Sequence, residues 1–378
     1  MSSLREEREK RGWSHTRLAS ELHRRAKAKN LNLPTKIESL ARNFARWENQ
    51  GGGVSDDYRD LLCEIYEKSA AELGLVAPSP VSEPAEETGT AQLAAQLSRA
   101  SSVDAGLVEL LKEQTDGIRR LDARQGAQFI HDQAKAHLAN LDDIHQHVIK
   151  PGIRSSLSWV LADTSALAGW QALDIGALNE SWRHFERAKA AAREAQDPSL
   201  LAFASAEQAY VLFDMGEYAE AAGLVEAIRS EAKSQVPKLM AAWLAASEAE
   251  IRAAAGDARL ARQALDEASD LHPADLDVEL PYVVLNAAHL ARWRGSTLAR
   301  IGDPEAITEL SAALDETAGA YARAEAGLRV DLATALLVQG EDGAAAEHLS
   351  TARALSARIG SARQQRRIAD LSSVRGDA

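Results

Sequence analysis

Apolar residues along Thr35–Gln50 (TKIESLARNFARWENQ) fall at Ile37, Leu40, Phe44 and Trp47, three or four positions apart. That period makes one buried stripe on a helix. Thr35 and Glu38 stand at capping-box spacing, so the helix is expected to begin there, and Pro34 lies outside it. The opposite face collects Ser39, Arg42, Asn43 and Arg46, with no acid among them. Upstream, Ser3–Lys10 predicts a charged first helix ended by Gly12. Trp13 and Leu18 bracket Ser14 as the cap of a second helix, whose inner side is Leu18, Ala19, Leu22 and Ala26. Downstream, Ser55 with Asp56 and Asp57 predicts a fourth helix. Ser69 and Glu72 predict a short fifth one closed by Gly74.

A different pattern starts at Ala91, where the chain becomes Ala-rich and helical throughout. Gly176, Gly216, Gly256, Gly302 and Gly340 recur at intervals of 40, 40, 46 and 38 residues. Seven positions before each glycine stands a tiny residue: Gly169, Ala209, Ala249, Gly295 and Ala333. Beyond each glycine comes a larger apolar one: Phe185, Val225, Leu265, Leu310 and Leu349. Small residues also open the second helices, at Ser181, Ala221, Ala261 and Ala345. The expected logic is close helix pairing: the tiny residue admits a partner, the glycine turns the chain, and the large residue plugs the gap between repeats. Ser102–Ile149, with Gly126 at its turn, reads as a further unit or cap, and Ser361–Leu371 as a closing helix.

Between these regions, residues 77–90 (APSPVSEPAEETGT) offer no apolar face and are expected to be an extended linker. The division expected is 1–76, 77–90 and 91–378. Charge follows it unevenly. Residues 1–46 carry a net charge of +7 within a chain of −13, so the remainder carries −20. A basic head on an acidic body suits a nucleic-acid-binding module joined to something else. Arg forks onto guanine and Asn onto adenine in a major groove, which makes Arg42, Asn43 and Arg46 candidate readers. The same face also suits an ordinary solvated helix. Arg24, Arg25, Lys27 and Lys29 form a cationic end on the second helix, fit for phosphates or for the helix dipole.

The order Arg11-Gly12-Trp13-Ser14, Leu18-Ala19, Ala45-Arg46-Trp47-Glu48-Asn49, Tyr58-Arg59, Leu61-Leu62 and Ala71–Leu75 resembles the lambda-repressor-like (Xre family) helix-turn-helix domain. Eleven extra residues, Arg24–Pro34, lengthen its turn. By that resemblance Arg42, Asn43 and Arg46 face the groove, with Ser39 and Lys36 beside them. The small–Gly–small–large spacing of the body resembles the tetratricopeptide repeat. The fold expected is all-α: a five-helix helix-turn-helix domain followed by a tetratricopeptide-like superhelix. The repeat register implies a concave surface lined by Trp170, Phe203, Tyr210, Phe213, Trp243, Glu250, His289 and Arg292, a composition suited to a ligand groove or to packing between repeats.

Together the two resemblances imply a cytoplasmic transcriptional regulator. It would be a homodimer that binds double-stranded DNA and takes a signalling peptide, a small-molecule effector or a protein partner on the repeats. Peptide-sensing relatives clamp the ligand with inward asparagines, of which only Asn286 is a candidate here. The alternative is an interaction scaffold whose helix-turn-helix no longer reads DNA. Enzyme chemistry finds no phosphate loop, dinucleotide fingerprint or nucleophile elbow. His131/His137 and His145/His147 lack the spacing of a helical metal pair, and no metal or cofactor is expected. The single cysteine, Cys63, lies in an apolar run and reads as packing. The charged N-terminus and the lack of a long apolar stretch argue against a signal peptide or a membrane span.

Overall fold

The computed structural model describes residues 4–29, 37–50, 54, 56–70, 72–73, 75, 85–273, 280–317, 319 and 321–374. It divides into two compact units, residues 1–92 and 93–378. Among the described residues there is no strand, and no helix is long and apolar enough to cross a membrane.

The first unit contains α1 (Leu4–Lys10), α2 (His15–Ala28), α3 (Ile37–Gln50) and α4 (Asp56–Tyr66). Ser14 caps α2, accepting the Arg17 N–H at 3.2 Å. The stripe read from the sequence becomes the core: Leu18, Ala19 and Leu22 of α2 meet Leu40, Phe44 and Trp47 of α3 and Leu61, Leu62 and Ile65 of α4. Cys63 packs half-buried against it. Ser69 and Glu72 do form the reciprocal capping box, at 2.9 and 3.3 Å. Instead of the expected fifth helix, the described residues there make one turn, closed by Leu75 N–H onto the Ala70 carbonyl at 2.9 Å. The six residues from Ser69 to Gly74 are too few to repay helix nucleation. The predicted caps at Thr35 and Ser55, and the turn at Gly51–Gly53, lie outside the described residues.

The expected extended linker is overturned in its second half. Residues 85–90 open helix α5 (Ala85–Ser101). The sequence carries the reason: Pro84 precedes the first turn, where proline is preorganised, and Glu86 and Glu87 lie in that turn, where acids suit the dipole.

The second unit is built from helix pairs: α6 (Ala105–Gln125) with α7 (Ala127–His147), α8 (Pro151–Asp174) with α9 (Leu178–Ala195), α10 (Pro198–Met215) with α11 (Tyr218–Ala232), α12 (Lys238–Ala254) with α13 (Ala258–Leu271), α14 (Ala287–Arg300) with α15 (Glu305–Thr317), and α16 (Ala322–Val338) with α17 (Asp342–Ile359). Then α18 (Ala362–Val374) follows. Every glycine singled out at a turn has positive φ, from 75° at Gly302 to 87° at Gly126, a conformation that side chains resist. Two of the large residues, Phe185 and Leu310, pack against the tiny residue of their own pair. A Cβ added to Gly169 on α8 would lie 2.9 Å from the Phe185 ring of α9, and one on Gly295 of α14 would lie 2.6 Å from Leu310 of α15.

The first helices α8, α10, α12 and α16 are buried on nearly all sides, as helices surrounded by others must be. The superhelix also comes back onto its own beginning. Helix α16 lies against α6, α17 against α7 and α18 against α8. Gly126 makes room there for the Ile359 carbonyl, which would be 2.5 Å from an added Cβ. Six pairs therefore complete one turn of the superhelix.

Candidate nucleic-acid interface and repeat interior

Helix α3 is fixed from one side by its aromatic residues. Trp47 is 4% exposed and sits edge-on to Phe44 at 5.2 Å and against Tyr58 at 5.2 Å. Arg42 is exposed and, among the described residues, has no ion-pair partner; Asn43 is half-buried. The side chains of Ser39 and Arg46, and all of Lys36, lie outside the described set.

The cationic end of α2 is less bare than its sequence suggests. Arg24 reaches Glu21 at 2.6 Å, Arg25 reaches Glu21 at 3.1 Å and Glu64 at 3.4 Å, and Lys29 reaches Glu64 at 2.5 Å. The hydrogen bonds from Arg24 and then Arg25 hold the Glu21 carboxyl down at about 2. Lys27 is exposed and outside this network.

Sequence reading assigned no role to Glu48, the acid of the Arg-Trp-Glu-Asn run. Its carboxylate is buried and takes two bonds from Arg8, at 2.7 and 2.9 Å, and one contact from His15 at 3.0 Å. Burial alone pushes the Glu48 carboxyl upward; Arg8 and His15 outweigh it and hold it below the usual range. Arg8 also donates to the Trp13 carbonyl at 2.8 Å. One carboxylate thus ties the C-terminal half of α3 to α1 and α2. A Glu beside an aromatic anchor was the available signal.

In the second unit, the eight groove candidates are brought together, largely against one another. Phe203 packs on Trp243 at 5.0 Å and on Tyr282 at 4.9 Å. Trp170 meets Tyr210 edge-on at 6.1 Å, and Tyr210 meets Phe213 at 5.8 Å. Trp293 bridges the two groups, 6.3 Å from Tyr210 and 6.2 Å from Trp243. Phe203, Tyr210, Phe213 and Trp243 are buried; Trp170, Glu250, His289 and Arg292 are half-buried. Burial, with Arg292 adding to it, pulls the His289 imidazole down to about 4. Asn286 caps α14, its side-chain oxygen accepting the His289 N–H at 2.9 Å.

Charged groups penetrate this aromatic interior. The Tyr210 hydroxyl donates to Glu250 at 3.0 Å, and the Ser296 hydroxyl reaches the other Glu250 oxygen at 3.2 Å. Arg363 of α18 stacks 5.2 Å over Trp170 and 5.6 Å over Tyr210 and donates to both Asp214 oxygens at 2.9 Å. The concave side thus receives a guanidinium from the chain's own last helix. Glu207 is buried beside these groups with Oε2 unpartnered among the described residues. Burial pushes its carboxyl up to about 8, against the pull of Arg363 and Arg292.

Three of the four candidate histidines contact neighbouring helices, and His147 contacts the Asp143 carbonyl of its own helix. His131 lies 3.5 Å from Glu180, His137 3.1 Å from Thr115, and His145 2.8 Å from Ser158 and 3.1 Å from Glu194. They dock α7 onto α6, α8 and α9. Among the described residues no group of three His, Cys, Asp or Glu side chains is placed to hold a metal. A separate open cleft of about 340 Å³, lined by residues including Lys112, Ser155 and Trp159, shares no residue with the groove set.

No protein-family model matches the chain, and no curated protein matches it. Among solved structures, a kinesin light chain protein of Podosopora anserina with nearly identical TPR-like repeats is similar over 52% of this chain and 94% of its own, with 17% identity and a TM-score of 0.34.

Proposed function

We propose that the chain is a sequence-specific DNA-binding regulator whose repeat unit carries the regulatory contacts: dimerisation and the binding of a protein partner, peptide or small molecule. The observation that carries the reading is α3. Its Phe44–Trp47 side is locked into the core, its C-terminal half is pinned by Glu48, and its other side offers exposed Arg42 beside Asn43 within a head of net charge +7. A rigid helix with unopposed Arg and Asn has the donors that major-groove recognition needs. Arg46, Ser39 and Lys36 are proposed for the same face. Arg24, Arg25 and Lys27 are proposed for phosphates.

Any effector that enters the concave side meets a filled interior. The proposed groove residues Trp170 and Tyr210 already hold Arg363, so a ligand there would displace it. The scaffold reading has its own support, since Glu21 and Glu64 already occupy three of the four cations at the end of α2.

Genome-wide capture of DNA on the tagged protein, beside an Arg42→Ala/Arg46→Ala variant, separates the readings. Sharp peaks sharing a two-fold motif and absent from the variant support DNA reading. Equal recovery from both proteins overturns it and favours the scaffold.

A further inference from the structure

Helix α6 carries a stripe with an exposed leucine at each end that nothing in the described residues covers. Leu110 is 61% exposed and Leu121 is 41% exposed; Gln114 and Gly117 lie between them on the same face. The spacing 110, 114, 117, 121 is the four–three–four rhythm of a coiled-coil seam. Gly117, half-buried at its centre, lets a facing backbone come close. Phe129, 68% exposed just beyond the Gly126 turn, adds apolar surface at the Leu121 end of the pair. Large apolar side chains left exposed on one helix face are candidates for a contact surface.

The charges beside the stripe say what kind of helix fits it. Glu109 and Glu113 flank its N-terminal half, Arg120 and Arg124 its C-terminal half, and all four are exposed. Glu113, Arg120 and Arg124 have no ion-pair partner among the described residues, whereas Glu109 lies 3.5 Å from Lys112. Asp116 and Arg119 pair with each other, with Arg119 also 2.5 Å from Asp163, and Asp122 is buried against Arg323. A second copy of α6 laid antiparallel sets Leu110 against the partner's Leu121. It also sets Glu113 near the partner's Arg120 and Glu109 near the partner's Arg124. A parallel copy would place these flanking charges on opposite sides of the contact, so neither Glu113 nor Arg120 would meet its complement. The surface is therefore self-complementary in one orientation, as a two-fold contact requires.

We infer that the exposed face of α6 is the dimer interface of this chain, with two copies of α6 packed antiparallel about a two-fold axis near Gln114 and Gly117. The biological use of that dimer rests on the regulator reading above. The contact itself does not.

The test measures the mass of the full-length protein by sedimentation equilibrium in the absence of DNA. Wild type is expected to dimerise. Leu110→Asp/Leu121→Asp is expected to weaken the dimer at least about tenfold with unchanged circular dichroism, because both positions are exposed. Glu113→Arg alone and Arg120→Glu alone are each expected to weaken it several-fold, and the two together to restore it. A monomeric wild type overturns the inference. So does a dimer indifferent to the leucine pair, or a double charge exchange that fails to recover what the singles lose. DNA retention measured on the same proteins reports separately on the regulator reading, since a monomer that still retains DNA refutes only the interface.

Discussion

The guanidinium of Arg323 forks onto the carboxylate of Asp122, 201 residues away in the chain, with both bonds at 2.6 Å. Asp174 lies 3.3 Å from the same guanidinium and accepts the Ser361 hydroxyl at 2.6 Å. These groups are buried where α16 and the start of α18 return to α6 and α8, so the pair fastens the superhelix to its own first turns. Removing one partner of a buried ion pair strands the other. Arg323→Ala is expected to cost about 3–5 kcal/mol. Arg323→Met with Asp122→Leu, which strands less charge, is expected to cost less than the sum of the single changes. Chemical denaturation followed on the repeat unit measures this; additive losses would deny that the two residues form one lock.

Close pairing makes another prediction, with an internal control. Gly295→Ala drives a methyl into Leu310, including its backbone nitrogen at 3.2 Å, and is expected to destabilise by about 1–3 kcal/mol despite alanine's better helix propensity. Gly223 of α11 has nothing within 4 Å of an added Cβ, so Gly223→Ala is expected to stabilise by about 0.5–1 kcal/mol. Thermal melts of the two variants should move in opposite directions.

That contrast shows what the sequence made legible. The tiny residue, the turn glycine and the large residue are local and periodic, so repetition exposes them without any knowledge of distant contacts. Spacing alone does not say whether Phe185 points to its own pair or to the next one; its ring against Gly169 shows that it meets its own. Asp122 and Arg323 gave no warning: each sits on a helix rich in other charges, and only the closure of the superhelix brings them together. Glu48 was hidden differently, inside a run attributed to DNA reading, where its burial against Arg8 and His15 depends on how three helices meet. The start of α5 was legible in Pro84, Glu86 and Glu87, and the Pro- and Ser-rich composition around them outweighed that local signal.

Glu207 should make stability fall as pH rises. Its carboxyl titrates near 4.5 when unfolded and is pushed up to about 8 in the fold, so the folded state holds a proton that the unfolded state gives up. The resulting stability is present below pH 4.5 and lost progressively to pH 8. Glu207→Gln removes this dependence. Its advantage over wild type is therefore expected to grow between pH 5 and pH 8, by an amount on the order of 2–4 kcal/mol. A constant difference across that range would show that Glu207 is ionised in the folded protein.

Glu48 should act in the opposite direction on the first unit. Its folded carboxyl lies below its unfolded value, so its contribution is present above about pH 4.5 and lost as pH falls through the folded value. Glu48→Ala is expected to destabilise the unit by about 2–4 kcal/mol at neutral pH, leaving Arg8 buried without its partner. Hydrogen exchange at the amides of α3 reports the transition. If α3 depends on this carboxylate for its position, DNA retention falls in the same variant while Arg42 is still present.

The acids around the cationic end of α2 offer a test in which function is gained. Arg24 and Arg25 are held by Glu21, whereas Lys27 stands outside that network. If these cations meet phosphates, Lys27→Ala should lower the slope of log affinity against log salt by about one. Glu21→Gln should raise both the slope and the affinity, because it releases two guanidiniums from a carboxylate that competes with phosphate. A solvated surface helix predicts neither change. An unaltered salt dependence in Glu21→Gln would leave Arg24 and Arg25 as partners of Glu21 and Glu64 alone, and DNA contact would then fall to α3.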